Sequence, residues 1–198
     1  MLLLNNYVND LYIISDNCWA YGVYKRLNLK YNSPFIGTYI HSPDYIKLLS
    51  NLDDYLNCQL VPIEFNKTIH HTKYKVSSYP QTYICKLNDI EIIFYHRTDS
   101  LDECIAKWYK RRDRLISNKD KIIVKISNEF IIFSNVRYDN FDSILEKFYS
   151  LPYKIKLSFT SRKFNYPLNF KIYPIHLLHK DKLGEEHTLY FKTDLLYK

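Results

Sequence analysis

The chain has 198 residues and a mass of 24.0 kDa, long enough for one substantial domain and short for two. With 46% hydrophobic and 17% aromatic residues it is no disordered chain, and no apolar run approaches the roughly 18–20 residues of a membrane span. The 28 Lys and Arg against 21 Asp and Glu give a net charge of +7 and a pI near 9.0, which fits a phosphate-rich partner or a plain bias toward Lys, Asn, Ile and Tyr and so names no ligand.

Leu11–Ser15 is a short apolar run that reads as a buried strand opening onto the polar pair Asp16-Asn17. Trp19–Leu27 has helical spacing, and Phe35–Ile40 is strand-like after the break at Ser33-Pro34. Ser42-Pro43-Asp44 predicts a helix start, with Ser42 as N-cap and Pro43 in the first position. That helix is expected to run to about Asn57, its apolar face made by Tyr45, Leu48, Leu49, Leu52, Tyr55 and Leu56. Leu60–Phe65 follows as a strand, Asn66–Ser78 as a surface loop, and Thr82–Cys85 with Ile90–Tyr95 as a hairpin turning at Leu87-Asn88-Asp89. Ser100 and Glu103 form a capping-box pattern ahead of a helix carrying Ile105, Trp108, Tyr109 and Arg112. Lys121–Ile126 and Lys154–Phe159 read as strands on either side of a short helix, Phe141–Tyr149. Further apolar pieces stand at Phe130–Phe133, Phe170–Ile175 and Leu189–Phe191.

This alternation predicts an α/β fold, a layered and mostly parallel sheet with helices on both faces and one antiparallel hairpin, built as a single domain over 1–198. Ligands in such sheets sit beyond the carboxyl ends of strands. Three strand ends therefore stand out: Asp16–Trp19, Thr38–Ser42 and Tyr95–Thr98.

With glycine only at positions 22, 37 and 184, neither a P-loop nor a dinucleotide fingerprint can be built. His70-His71 lack the partner spacing of a metal site, and none is expected. Cys18, Cys58, Cys85 and Cys104 are widely separated and read as reduced thiols of a cytoplasmic protein. Met1–Leu4 is apolar but Asn5, Asn6, Asn9 and Asp10 follow, so no secretory signal is expected. His96, at a strand end, is either a general base or a histidine bonded to its own loop. Cys18 is a helix-start thiol or a small core residue, and Asn17 offers an amide to a hydroxyl or carbonyl. Lys107, Lys110, Arg111, Arg112 and Arg114 form either a solvated helix face or, through the arginine forks, a phosphate site.

Several segments carry a resemblance: Ile13-Ile14-Ser15-Asp16-Asn17-Cys18-Trp19, Tyr31-Asn32-Ser33-Pro34-Phe35-Ile36-Gly37, Asp44-Tyr45-Ile46-Lys47, Asp89-Ile90-Glu91-Ile92-Ile93-Phe94-Tyr95-His96, Lys107-Trp108-Tyr109-Lys110-Arg111-Arg112 and Leu151-Pro152-Tyr153. In this order they resemble a family of unknown-function domains described as exopolysaccharide or capsule biosynthesis proteins, over about residues 10–180. The resemblance implies an N-acetyltransferase that moves acetyl from acetyl-CoA to the 4-amino group of a UDP-linked 4-amino-4,6-dideoxyhexose such as UDP-viosamine. It also implies a viral protein of the host cytoplasm, and the closing Leu195-Leu196-Tyr197-Lys198 fits a cut inside a longer bifunctional chain.

On that reading His96 is the base and Asn17, or the backbone N–H groups near Cys18 and Trp19, serves the oxyanion or sugar. Trp19, Asn32, Ser33 and His41 line the substrate pocket, Trp108 gives it an apolar wall, and Arg111 and Arg112 hold the phosphates of coenzyme A. The expected partners are the nucleotide sugar and coenzyme A, with self-association compatible and neither membrane nor nucleic acid involved. A nucleotide-sugar-dependent glycosyltransferase is the alternative. It would need an acidic metal pair, and Asp53-Asp54 falls within a helix. A basic nucleic-acid-binding module is the non-enzymatic alternative.

Overall fold

A computed structural model describes residues 11–72, 82–94, 100–127, 141–160 and 172–174. Two four-stranded sheets share one core. The first is wholly parallel, in the order β1 (Tyr12–Ser15), β6 (Ile122–Ser127), β7 (Ile155–Thr160) and β8 (Ile172–Pro174). The second is antiparallel, in the order β2 (Thr38–Ile40), β5 (Ile90–Phe94), β4 (Tyr83–Leu87) and β3 (Leu60–Pro62). The α/β expectation holds, with helices on both faces of the parallel sheet. The expected single hairpin is instead the centre of a second sheet. The reason lies in β5, whose five residues are all buried, so it takes a neighbour on each side: β4 through the turn at Asn88, and β2 from upstream. Asn88 holds φ 58 in that turn, a conformation asparagine tolerates better than most residues.

Side-chain alternation sorts the layers. On one face of the parallel sheet Ile13, Ile123 and Leu157 pack under helix α1 (Trp19–Arg26), against Trp19, Ala20, Val23 and Tyr24. On the other, Ile14, Ile122, Val124 and Ile126 join the main core with helices α2 (Ser42–Ser50), α5 (Leu101–Arg112) and α6 (Phe141–Ser150) and one face of the antiparallel sheet. The far face of the antiparallel sheet buries Tyr39, Ile84 and Ile93 beneath Ile63 and Phe65. Tyr24 reaches back over the outer edge of β1, where its hydroxyl donates to Leu11 O (2.6 Å) and accepts from Ile13 N–H (3.2 Å).

Several boundaries differ from those expected. The helix starting at Ser42 has His41 as N-cap and breaks at Asn51 (φ −130°, ψ 45°), so that α3 (Leu52–Asn57) is a separate turn. The strand-like Phe35–Ile40 is a strand only from Thr38. Gly37 takes φ 78, and the Thr38 hydroxyl donates to Phe35 O at 2.8 Å, which closes a turn instead. Strand β3 stops at Pro62, and a 3₁₀ turn (Phe65–Lys67) and helix α4 (Ile69–Thr72) follow where a loop was expected. The capping box of α5 is formed as read, Ser100 accepting from Glu103 N–H and Glu103 from Ser100 N–H. Phe130–Phe133 and Leu189–Phe191 lie outside the described residues.

Candidate active site

Strands β1 and β6 run parallel with Ser15 opposite Lys125, so Ser15, Lys125 and Ser127 share the α1 face, directly after the apolar pair Ile13 and Ile123. Beyond Ser15 the chain turns through Asp16 and Asn17 into α1. The carboxyl ends of two parallel strands and a helix start thus converge. The result is a buried polar cluster. Lys125 Nζ donates to Asp16 Oδ1 (3.1 Å), Asn17 Oδ1 (2.8 Å) and Ser127 Oγ (2.9 Å). Asp16 Oδ2 accepts the Ser127 backbone N–H at 2.8 Å, and Asn17 Nδ2 donates to Ser127 Oγ at 2.9 Å. Asn17 Oδ1 also accepts from Trp19 N–H (3.1 Å), so the amide side chain holds the first residue of α1.

The ion pair is almost sealed, with Lys125 1% and Asp16 2% exposed. A buried pair persists only where further hydrogen bonds match both charges, because the desolvation cost is several kcal/mol per ion. Here the ammonium's three N–H groups each have an acceptor. That geometry makes Lys125 a clamp on the strand-to-helix turn.

Two of the three expected strand ends are brought together. Ile40 N–H donates to Asp16 O at 2.9 Å, stitching the end of β2 to the end of β1. Tyr45 reinforces the join from α2: its hydroxyl donates to Ile14 O (2.7 Å) and accepts from Lys125 N–H (3.3 Å). Burial pushes this phenol far above its ordinary value, and the nearby Asp16 charge adds to the effect. His41 follows Ile40 and is 2% exposed, and its carbonyl accepts from Tyr45 N–H. The third end, 95–98, lies outside the described residues, and so does His96; β5 leads toward it and ends at Phe94 beside Thr38.

The remaining expected residues divide. Asn17 is at the centre of the cluster. Trp19 packs into the core under α1, and its N–H is taken by Asn17, which leaves no oxyanion donor at that position. Asn32 and Ser33 are buried upstream of β2, where Ser33 Oγ accepts from Phe35 N–H (3.3 Å) to shape the turn. Trp108 is 1% exposed and stands edge-on to Phe35 (5.0 Å) and Phe94 (6.1 Å), a core pillar rather than a pocket wall. Arg111 and Arg112 diverge. Arg111 donates to Ile36 O (3.1 Å) and lies 4.9 Å from the Tyr31 ring centroid, whereas Arg112 turns to Asp113, Leu56 O and the Tyr109 ring. Asp53 and Asp54 are exposed on α3. None of the four cysteines is in a disulfide, and burial pushes the Cys85 thiol up to about 12, which makes it unreactive. Lys125 and Ser127 were not singled out from sequence. Their signal is one cation inside an otherwise apolar run, Ile122-Ile123-Val124-Lys125-Ile126.

Residues 3–184 match the family described as a domain of unknown function, DUF1919. The chain belongs to that family. A protein of Haemophilus influenzae (strain Rd), described as uncharacterized, is 31% identical over 156 residues, which are 77% of this chain and 62% of that protein. The chain therefore spans less than two thirds of that relative's length. In this DUF1919 domain the matched span includes both sheets and the whole polar cluster. Among the described residues no helix is long and apolar enough to cross a membrane, and no group of three His, Cys, Asp or Glu is placed to hold a metal ion.

Proposed function

We propose that this DUF1919 domain is an acetyl-CoA-dependent N-acetyltransferase that acylates the amino group of a nucleotide-linked amino-dideoxy sugar. Its sequence also resembles the N-terminal viosamine N-acetyltransferase domain of a Mimivirus bifunctional enzyme, which makes UDP-viosamine the first acceptor to try. One observation supports a site at this place: the Asn17 amide, held by Lys125 and Ser127, stands where the ends of β1 and β2 meet the start of α1. Acetyl transfer needs few parts. The free amine attacks the thioester carbonyl carbon, the C–N bond forms as the C–S bond breaks, and the coenzyme leaves as thiolate. A base takes the proton shed by the amine. An amide at a rigid strand end can orient a sugar hydroxyl or the carbonyl oxygen at little entropic cost.

The test is turnover: thiol release from acetyl-CoA in the presence of UDP-viosamine, with the acetylated product identified by mass spectrometry. His96→Ala is expected to lower kcat at least about a hundredfold, the usual worth of a general base. His41→Ala is expected to be milder in turnover. A folded protein that releases no thiol with any amino-sugar nucleotide, and gives no heat with acetyl-CoA, overturns the reading.

A further inference from the structure

The positive charge of this chain is not evenly spread. Residues 17–43 contain no Asp or Glu but include Lys25, Arg26 and Lys30. Helix α1 accordingly has no acid in its first turn and ends in Lys25 and Arg26, while the last turn of α5 holds Lys110, Arg111 and Arg112. Folding gathers part of this charge onto one aromatic face. Arg111 Cζ lies 4.9 Å from the Tyr31 ring centroid, and Arg114 Nη1 donates to Tyr31 O at 2.9 Å. The Tyr31 ring stands 6.1 Å from that of Tyr21, over which Lys25 Nζ sits at 5.6 Å. The Tyr31 phenol is pushed above its ordinary value, chiefly by burial and then by Tyr21, while Arg111 and Lys25 both pull it back, so both cations act on the same oxygen.

We propose that Tyr21, Lys25, Tyr31, Arg111 and Arg114 form a nucleoside-diphosphate subsite. Guanidinium forks match phosphate oxygens, and tyrosine faces accept a stacked base. The two arginines are anchored through carbonyls of the segment between α1 and β2, Ile36 O and Tyr31 O, so their planes are fixed in advance. Fixed cations lose less entropy on meeting a ligand than mobile ones. The place suits an elongated substrate: α1 starts beside Asn17, and at about 1.5 Å per residue Lys25 lies about 9 Å further along it. Arg112 has no part in this site, since Nε and Nη2 both meet Asp113 Oδ1 and its charge is matched there. The inference rests on the transferase reading only for which nucleotide is bound. A nucleotide sugar and coenzyme A both bring a nucleoside diphosphate.

The experiment is calorimetric titration of the whole chain at physiological salt with UDP, with coenzyme A, and with a single-stranded oligonucleotide, beside the thiol-release assay. UDP or coenzyme A is expected to bind, and which of them does so assigns the subsite to acceptor or donor. Lys25→Glu, at an exposed position, and Arg114→Gln, at a half-buried one, should each weaken that binding at least about tenfold, as for a charge-assisted phosphate contact. Lys119→Gln, which removes a cation over the distant Tyr153 ring, should leave it unchanged. Neither nucleotide binding at millimolar concentration, binding indifferent to Lys25→Glu in a folded variant, or oligonucleotide binding alone overturns the subsite. Nucleotide binding lost in the variants, without acetyl transfer in any sample, leaves the subsite standing and removes the transferase reading.

Discussion

The parallel sheet ends in a buried carboxylate, Asp16, that meets an ammonium and a backbone N–H. The antiparallel sheet buries Glu91 within β5, where one oxygen accepts from Ile69 N–H (2.8 Å) and Oε2 has no hydrogen-bond partner among the described residues. The two acids are 2% and 6% exposed, so burial does not separate them. Topology does. Where parallel strands end together, backbone donors that have left the ladder, a helix start and a neighbouring strand's side chain converge on one point. Inside an antiparallel sheet the neighbouring backbone donors are used by the ladder, so Glu91 must find partners in another element and finds one. Burial accordingly pushes the Glu91 carboxyl above its ordinary range, with the Asp44 charge adding to the shift against the backbone N–H of Ile69. A satisfied buried charge marks a place the fold is built to hold rigid, and a half-satisfied one marks a cost carried by the packing around it.

Substitutions can break that comparison, and the largest effect belongs to Lys125. Lys125→Met leaves the Asp16 carboxylate buried without its ammonium and should cost about 3–5 kcal/mol in urea denaturation. Adding Asp16→Asn should recover part of the loss, because no unmatched charge remains. A single-variant cost below about 1 kcal/mol would show that the pair holds nothing. Tyr45→Phe removes the hydroxyl shared by Ile14 O and Lys125 N–H and is expected to cost about 1–3 kcal/mol, read from the same curves. Glu91→Gln should go the other way. The folded-state value of Glu91 is raised, so the folded protein binds more protons than the unfolded one. Its stability is highest below the ordinary glutamate value and falls as pH rises through the raised one. Glutamine keeps an oxygen for Ile69 N–H and removes the charge. It should flatten the pH dependence above about 4.5 and raise Tm at pH 7 by about 2–4 °C, the equivalent of about 1 kcal/mol. Melting curves at pH 5 and pH 8 that run parallel to those of the wild type would contradict it.

Much of this was readable from local chemistry. The Ser100–Glu103 box, the strand read over Leu11–Ser15 and the hairpin around Asn88 each carry their signal within a few residues; the box formed as read, the strand starts one residue later at Tyr12, and the first hairpin strand continues to Leu87. Asn17 was readable as well, because a polar pair directly after an apolar run announces a strand end. What escaped depends on pairing between distant segments. Thr38–Ile40 is three residues long, and nothing in it says that it lies antiparallel to β5 and so makes a second sheet. Lys125 is 108 residues from Asn17 and is explained only when β6 lies beside β1. Arg111 and Arg112 looked equivalent because adjacent residues on a helix point about 100° apart, and sequence does not say which direction meets Tyr31 and which meets Asp113.

The Tyr24 hydroxyl has a consequence for colloidal behaviour. Among the described residues β1 is the outer strand of the parallel sheet, and an open strand edge is a template on which a second copy can polymerise. Tyr24 occupies Ile13 N–H and Leu11 O, and Ile40 N–H takes the Asp16 carbonyl just beyond the strand, so both ends of this edge are engaged by the chain's own following segments. Burial raises the phenol above its ordinary value, so the donor keeps its proton throughout the physiological range. A seal supplied by the next helix in sequence does not weaken on dilution and needs no partner. Tyr24 is itself packed with Ala20 and Val23 on the sheet, which ties resistance to fibre formation to the seating of one eight-residue helix.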